Sequence, residues 1–394
     1  MSRPAAHLAL ELLERLVAAP SPNPPGDERA VALVVEEACA ELRLPAPRRV
    51  ARCESGPNLL VEVGEGTPRL LFAAHLDTVP PGDLAGWRTD PFRLERVGDR
   101  LHGLGSADMK AAIAAMLIAA ARLAEEPAPG TVVLVLAADE EGFSSYGMEW
   151  LAQQGLLHGD AAIVTEPASV DERSWDRFFV AQRGSLLAWL TASGTPGHSG
   201  MLVPRGDRAS AAFARALAAL VDADLFPDWR HPVDGTPVTV NVGTIVHGGI
   251  IPVAHPAALR AAIEVRTLEG MTPEIVMAEL RGVIERAGLA GRVSIEIEPL
   301  PAGWFPPGRR ASDARLLAAA REAWHEVIGP VPPPSVMTAG TDSTHLNAAG
   351  IDALPAYGPG TLEVAHRANE SIAVDDVTRA VDLFESVARR YLAG

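Results

Sequence analysis

The chain has 394 residues, of which 48% are hydrophobic, and its formal net charge is −16. Its length exceeds what one hydrophobic core usually organises, so two domains are expected, and its negative charge argues against a nucleic-acid partner, which would require clustered Lys and Arg. No uncharged apolar run approaches the roughly 20 residues that cross a bilayer, and Glu11 and Glu14 interrupt the first apolar stretch, where a signal peptide would lie; the sequence therefore predicts a cytoplasmic protein without a membrane partner.

The first 180 residues alternate between patterns typical of helices and patterns typical of strands. The predicted helices are 7–17, 27 to about 42, 109 to about 124 and 148–154. Asp27 is the expected N-cap of the second, and Asp108 stands at the start of the third. The predicted strands are 58–63, 69–74, 131–137 and 161–164. Strands that alternate with helices indicate a mostly parallel sheet.

The pattern changes after residue 180. A strand at 185–191, a helix from 207 to about 222, strands at 238–245 and 259–266, a helix at 273–287 and a strand at 293–297 follow the order of the split ferredoxin-like arrangement. We therefore predict an α/β protein in which a domain with a mostly parallel mixed sheet, residues 1–179 and 299–394, carries an inserted ferredoxin-like α+β domain, residues 180–298. Helices at 313–327 and about 375–391 would complete the first domain.

Imidazole and carboxylate side chains follow the predicted strands of the first domain. Because ligands of a parallel sheet gather at the carboxyl ends of its strands, these side chains are expected to converge at one edge. Taken singly, each has an ordinary alternative: a helix cap, a solvated turn, a loop surface or an exposed imidazole. The candidates that follow strands are His75, Asp77, Glu140, Glu141 and Glu166. Two further candidates do not: Asp108 stands at a predicted helix start, and His366 lies in a loop before the last predicted helix.

The donor types of this set suit a pair of metal ions. Imidazole nitrogens and carboxylate oxygens can hold two zinc-like ions that share one carboxylate, and such a pair activates a water molecule. One further carboxylate must stay outside the metal shell to accept the proton of that water, and the doublet Glu140-Glu141 offers one residue of each kind. Cys39 and Cys53 lack the spacing of a thiolate metal site.

Five short motifs occur in a fixed order along the chain. They are His75-Leu76-Asp77-Thr78-Val79, the segment Gly103-Leu104-Gly105-Ser106-Ala107-Asp108-Met109-Lys110, Asp139-Glu140-Glu141-Gly142, Thr165-Glu166-Pro167 and Ala365-His366-Arg367-Ala368-Asn369-Glu370. With them, the chain resembles over essentially its whole length the co-catalytic zinc amidohydrolase and peptidase family of acetylornithine deacetylase, succinyl-diaminopimelate desuccinylase, aminoacylase and glutamate carboxypeptidase.

The resemblance implies a role for each candidate. His75 and Glu166 would bind one metal ion, Glu141 and His366 the other, and Asp108 would bridge the two. Asp77 would orient His75, and Glu140 would be the general base. The implied cofactor is two Zn²⁺ per subunit, with Co²⁺ or Mn²⁺ as ions that accept the same ligands. A cis peptide bond between Asp108 and Met109 is also implied.

The resemblance extends to the inserted domain, which in the family is a lid that often dimerises. His198, in Gly197-His198-Ser199-Gly200, would reach the active site of a partner subunit and stabilise the oxyanion, so a homodimer is implied; a loop histidine that caps a turn is the alternative. Arg266 would lie near the substrate carboxylate, which a guanidinium can bind through two hydrogen bonds; a surface ion pair is its alternative. Gly340 and Thr341 resemble part of the family's substrate-side loop.

The substrate implied is an N-acyl-amino acid or a short peptide, cleaved at an amide bond, and dipeptidase or carboxypeptidase activity would use the same mechanism. Two departures concern substrate contacts. Gly248-Gly249 runs into Ile250-Ile251-Pro252, where the family has an Asn-containing segment, and Leu104 stands where Arg is common.

Three other interpretations compete with this one. A dinucleotide site at 103–108 is rejected because its last position is Asp108, whose charge would face a pyrophosphate. A serine hydrolase would use Ser199, Asp342 and His366, but the glycine expected two residues after the serine is Met201. A non-catalytic metal-binding protein would be expected to lose the base, whereas Glu140 is present.

Overall fold

The computed structural model describes residues 5–171 and 173–394. These fall into two compact units: the first contains the chain up to residue 181 together with residues 309–337 and 341–394, and the second contains residues 182–308 and 338–340. Compactness alone does not assign the predicted catalytic and lid roles, which stay predictions.

The helices and strands are numbered in chain order. The helices are α1 (Ala5–Val17), α2 (Arg29–Glu41), α3 (Ala111–Glu125), α4 (Met148–Gln153), α5 (Ala209–Asp222), α6 (Pro273–Arg286), α7 (Ala314–Val327), α8 (Ser343–Ala348) and α9 (Val374–Ala393). The strands are β1 (Arg48–Ala51), β2 (Pro57–Glu65), β3 (Arg69–His75), β4 (Glu95–Val97), β5 (Arg100–His102), β6 (Gly130–Ala137), β7 (Ala161–Val164), β8 (Phe178–Gln182), β9 (Gly184–Ser193), β10 (Gly197–His198), β11 (Thr239–Gly248), β12 (Ala254–His255), β13 (Ala258–Thr267), β14 (Val293–Ile297), β15 (Trp304–Phe305), β16 (Pro334–Met337), β17 (Asp352–Leu354) and β18 (Ser371–Ala373).

The first unit is built on a mixed sheet with the strand order β1-β2-β6-β3-β7-β17. The pairs on either side of β3, and the pair of β7 with β17, are parallel, whereas β1, β2 and β6 pair antiparallel. Every residue of β6 is buried, as expected for a continuous Val- and Leu-rich run with both faces covered. This architecture confirms the predicted mostly parallel mixed sheet.

Helices cover both faces of this sheet because successive strand residues point in opposite directions. On one face, the ring of Phe72 in β3 lies 5.5 Å from the ring of Phe384 in α9, and α9 also contacts α1 and α3. On the other face, Leu71 of β3 belongs to a buried cluster with Leu151 of α4 and Leu346 of α8. The packed helices leave the carboxyl ends of β3, β6 and β7 at a common edge, from which the site residues extend.

The second unit has an antiparallel sheet in the order β11-β13-β9-β14, with helices α5 and α6 packed on it. Buried and partly exposed residues alternate along β9, and the buried set, including Leu186 and Leu190, joins the core with both helices. Strand, helix, strand, strand, helix and strand follow one another as the sequence predicts, and the ferredoxin-like arrangement is confirmed.

Two predicted helix starts are wrong. Asp108 does not cap a helix: its φ of −126° and ψ of 89° are non-helical, residues Ser106–Lys110 form a separate irregular turn, and α3 begins only at Ala111. Asp27 does not cap α2 either, because the helix begins at Arg29 and the Asp27 carboxylate instead pairs with the Arg29 guanidinium at 2.6 Å. At both positions the residue type fits an N-cap. In the folded chain, contacts with other residues hold each side chain away from the start of the helix.

Across residues 5–171 and 173–394, no helix combines the length and the apolar character needed to cross a membrane. The cytoplasmic location stays a prediction.

Candidate metal centre

Three neighbouring strands bring the candidate residues to one place. His75 is the last residue of β3 and is paired with Ala137, the last residue of β6, while Ala73 is paired with Val164, the last residue of β7. Because β6 and β7 run parallel to β3 on its two sides, the residues that follow all three strands emerge at the same edge. Asp77, Glu140, Glu141 and Glu166 are those residues.

Two groups of side chains meet there and share Asp108. In the first group, His75 Nε2 lies 3.1 Å from Asp108 Oδ1 and 3.4 Å from Glu166 Oε1. In the second group, His366 Nε2 lies 3.3 Å from Asp108 Oδ2 and 3.1 Å from Glu141 Oε1. The two oxygens of Asp108 therefore face different histidines, as expected of a carboxylate that bridges two cations.

The donor set fits a pair of divalent cations. Each group offers one imidazole nitrogen and two carboxylate oxygens within 4.8 Å of one another, and this mixture of nitrogen and oxygen donors suits zinc and similar ions. His75 Nδ1 donates to the main-chain oxygen of Asp77 at 3.0 Å, which places the proton of a neutral ring on Nδ1 and leaves Nε2 free as a ligand atom.

The electrostatics of the cluster favour bound positive charge. Burial and the nearby Asp108 carboxylate raise the pKa of Glu166 to about 7. Hydrogen bonds to Asp108 and Glu141 raise the pKa of His366 to about 11. Burial alone would raise the pKa of Asp108, but its hydrogen bonds with His366 and His75 outweigh burial and hold that pKa below its usual value. Buried carboxylates crowded in this way require a cation or a proton between them.

Asp77 holds the turn that carries the Glu140-Glu141 doublet. Its Oδ1 accepts the backbone N–H of Glu140 at 3.1 Å and its Oδ2 that of Glu141 at 3.0 Å. The same carboxylate lies 3.4 Å from His75 Nδ1. Asp77 therefore contacts both the histidine that it is predicted to orient and the backbone of the two glutamates.

Glu140 belongs to neither of the two groups of side chains that share Asp108, but it lies next to them. It forms a further cluster with His75 and Glu141, in which one donor atom from each residue lies within 4.8 Å of the others. Burial raises the pKa of the Glu140 carboxyl well above its usual value against the opposing effect of His75, and the charges of the neighbouring carboxylates add to the rise. A carboxylate with a raised pKa at such a position is suited to accept a proton.

Glu370 holds the turn that contains Asp108, a role that the sequence does not predict. This buried carboxylate accepts the backbone N–H groups of Gly105 at 2.9 Å, Ala107 at 2.8 Å and Asp108 at 3.0 Å. It therefore joins the loop of His366 to the turn of Asp108, the residue that both cation groups share. The sequence gives one indication of this role, because Glu370 belongs to the same motif as His366.

Replacing Glu370 with alanine is expected to lower the free energy of unfolding by about 3 kcal/mol or more, because each buried donor left without a partner costs about 1–3 kcal/mol. Urea denaturation at pH 7 measures this. The matched control is Glu363→Ala, an exposed position in the same loop, where the change is expected to stay within about 0.5 kcal/mol. A loss for Glu370→Ala no larger than that of the control would contradict the role assigned to Glu370.

The peptide bond between Asp108 and Met109 is cis, as the resemblance implies. His198, Arg266 and Gly340 belong to the second unit and Thr341 to the first. His198 is exposed and its Nδ1 accepts the backbone N–H of Gly200 at 3.0 Å, while Arg266 Nη2 lies 2.6 Å from Glu264 Oε1. Both contacts are of the kind that the alternatives describe, a turn and a surface ion pair, so the roles of these two residues stay predictions.

Gly340 packs tightly against Phe305, since an added Cβ would lie 2.5 Å from that ring. Thr341 is buried and its hydroxyl accepts the backbone N–H of Ser343 at 3.3 Å. Neither contact assigns a substrate role, so both residues keep only the predicted one.

The sequence profile of peptidase family M20/M25/M40 matches residues 71–390. The chain belongs to this family. The succinyl-diaminopimelate desuccinylase of Rhizorhabdus wittichii is 34% identical to this M20 chain over 397 aligned positions, which cover 98% of both proteins.

Solved structures of the M20 family share the fold. The M20 family metallo-carboxypeptidase Sso-CP2 of Sulfolobus solfataricus has a TM-score of 0.78 at 19% identity and covers 98% of this chain and 99% of its own. The YXEP protein of Bacillus subtilis, described as a dinuclear metal binding peptidase of the M20 family, has a TM-score of 0.69 at 17% identity, with 98% of each chain covered.

Family membership confirms the resemblance carried by the five motifs, and it confirms the fold class predicted from the order of strands and helices. The chain is a metal-dependent hydrolase that acts on amide bonds. The serine-hydrolase interpretation loses support for a further reason: the Asp342 carboxylate accepts the hydroxyl of Ser144 at 2.6 Å, and the ring of His366 faces Asp108 and Glu141. Membership of a family of hydrolases also argues against the non-catalytic interpretation.

Proposed function

We propose that this M20 hydrolase cleaves the amide bond of N-acyl-amino acids or short peptides at a centre that holds two divalent cations. The observation that carries the proposal is the arrangement of Asp108, whose two oxygens face two separate pairs of ligands. His75 and Glu166 would hold one cation, and His366 and Glu141 the other. Zinc is the proposed ion, with cobalt and manganese as alternatives, and such a pair polarises a carbonyl and lowers the pKa of a water molecule.

The side chains of the chain perform the proton transfers. Glu140 would take the proton of the attacking water and deliver it to the leaving amine, since it stands at the centre without belonging to either group that shares Asp108. Asp77 would keep the backbone of Glu140 in place through the hydrogen bond that it accepts from it. Its other contact, with the ring of His75, would keep Nε2 directed into the centre.

The roles proposed for the second unit rest mainly on the resemblance. His198 would stabilise the oxyanion in the active site of a partner subunit, and the protein would be a homodimer. The hydrogen bond that His198 Nδ1 accepts from Gly200 supports this role, because a neutral ring then carries its proton on Nε2 and presents a donor. Arg266 would bind a substrate carboxylate, which requires its guanidinium to exchange the Glu264 partner for the substrate. Gly340 and Thr341 would line the same substrate.

The first substrates to test are N-succinyl-amino acids, because the relative from R. wittichii is a succinyl-diaminopimelate desuccinylase at 34% identity. N-acetyl-amino acids and dipeptides extend the panel to the alternative activities, which would use the same residues.

Incubating the zinc-loaded protein with this panel and measuring the released amine tests the proposal. We expect release from at least one class, loss of that release after treatment with a chelator, and its recovery when zinc is added back. A protein that holds two zinc ions but releases amine from none of the three classes would refute the proposed substrate range. Activity that survives complete removal of the metal would refute the mechanism.

A further inference from the structure

A short segment near the N-terminus runs alongside the first motif and bonds to it on both sides of Asp77. We call residues 21–23 the strap. The hydroxyl of Ser21 donates to the main-chain oxygen of Leu76 at 2.8 Å, the N–H of Thr78 donates to the oxygen of Ser21 at 3.0 Å, and the N–H of Asn23 donates to the oxygen of Thr78 at 2.8 Å. The two main-chain bonds, which do not involve the Ser21 side chain, place the side chain of Asn23 beside Asp77.

The Asn23 amide joins two carboxylates that flank the Glu140-Glu141 turn. Its Nδ2 donates to Asp77 Oδ2 at 3.0 Å and to Asp139 Oδ1 at 2.8 Å, and the residue is only 6% exposed. Asp77 in turn accepts the backbone N–H groups of Glu140 and Glu141. The buried NH₂ group of Asn23 therefore binds two carboxylates. One is Asp77, which holds the backbone of both glutamates, and the other is Asp139, which directly precedes them.

A first constraint on this contact is the buried acidic environment of the two carboxylates that Asn23 joins. Glu28 is buried nearby, and burial together with the charges of Asp77 and Asp139 raises the pKa of its carboxyl to about 8. A second constraint comes from Gly142, where an added Cβ would lie 2.1 Å from Asp139 Oδ1 and 2.7 Å from Asn23 Nδ2. The turn therefore closes over the Asn23–Asp139 hydrogen bond, and the glycine after Glu141 is needed because that bond fills the space.

We propose that Asn23 is a positioning residue of the metal centre, which sets the backbone of Glu140 and Glu141 through Asp77 and Asp139. This inference rests on the proposed function, since it takes Glu141 as a cation ligand and Glu140 as the proton acceptor. Asn23 acts through these neighbours and needs no contact with substrate. This positioning role explains why the strap lies against the first motif although it is distant in sequence from every motif residue.

The test compares Asn23→Leu and Asn23→Ala with the control Ser21→Ala in the full-length protein. Leucine has the same number and branching of side-chain heavy atoms as asparagine but donates no hydrogen bond. The control removes a hydroxyl bond of the same strap that does not reach a carboxylate. Zinc affinity is measured by competition with a chelating indicator. Turnover is measured at saturating zinc on the amide that the substrate panel identifies.

We expect both Asn23 variants to bind zinc about 10- to 100-fold more weakly than the wild type, the usual effect of removing a partner that orients a metal ligand. Their kcat at saturating zinc is expected to fall by a similar factor while KM stays within about twofold, because the group displaced is the proton acceptor. Ser21→Ala is expected to keep the zinc affinity and kcat of the wild type. A role limited to folding would not produce this separation.

Wild-type zinc affinity and kcat in both Asn23 variants would overturn the inference. So would an equal loss in Ser21→Ala, because the strap as a whole and not the Asn23 amide would then be responsible. If Asn23→Leu does not fold, Asn23→Ala decides alone. A wild-type protein that binds no zinc would instead overturn the proposed function, so the two failures are distinguishable.

Discussion

Replacing Glu140 with glutamine is expected to lower kcat by about 10²–10⁴-fold, the usual contribution of a general base, without releasing the bound metal. Glutamine has the same shape as glutamate but cannot accept the proton of a water molecule. The hydrogen bond between the Glu140 backbone and Asp77 does not involve the exchanged atoms. The turn should therefore keep its conformation, and the two cation groups that share Asp108 keep all their ligands.

The measurement is kcat on the identified amide together with the zinc content of the purified protein. Glu141→Gln is the matched comparison, because the two residues are adjacent and only Glu141 belongs to a group with His366. We expect Glu140→Gln to retain two zinc ions and Glu141→Gln to lose at least one. A Glu140→Gln enzyme with turnover within threefold of the wild type would show that another group takes the proton.

The second large effect is expected at Asp108. In Asp108→Asn one carboxylate oxygen becomes an NH₂ group, so one of the two histidines loses the oxygen that faces it. We expect the zinc content to fall from two ions per chain to at most one. The rate is expected to fall by about 10³-fold or more, since a catalytic metal ion supplies several kcal/mol of transition-state stabilisation.

The control for Asp108→Asn is Asp99→Asn, the same substitution at an exposed position. It is expected to leave zinc content and rate unchanged. Titration of the metal-free variant with zinc, followed by competition with a chelator, gives the number and strength of the sites. Two zinc ions bound to Asp108→Asn as tightly as to the wild type would rule out a bridging role for this residue.

The strand ends explain why the sequence alone could bring most of the candidate site together. His75, the Glu140-Glu141 doublet and Glu166 each follow an apolar run, and the runs became the adjacent parallel strands β3, β6 and β7. Hydrophobic pattern and strand direction are local properties that a sequence displays directly. Asp108 and His366 were placed by motif resemblance, since no strand pattern leads to either.

Asp108 shows where local reasoning was wrong. A helix-forming run follows it, which predicts a helix that begins at Met109, with an N-cap as the ordinary alternative role of Asp108. The helix begins only at Ala111, and the buried carboxylate of Glu370 holds the Asp108 backbone instead. Glu370 is 262 residues away from Asp108 in sequence. Cap propensity describes the competition between nearby groups only, whereas here the decisive hydrogen bonds come from the opposite end of the chain.

The chain by itself determined the alternation of strands and helices, the α/β class with its inserted ferredoxin-like segment, and the types of donor available to a metal ion, because periodicity and side-chain chemistry are read one segment at a time. Only the tertiary structure decided which groups hold those donors in place. Asn23 lies 54 residues from Asp77 and 116 from Asp139. A hydrogen bond across such a separation depends on how whole strands and loops pack, and no local pattern in the sequence specifies it.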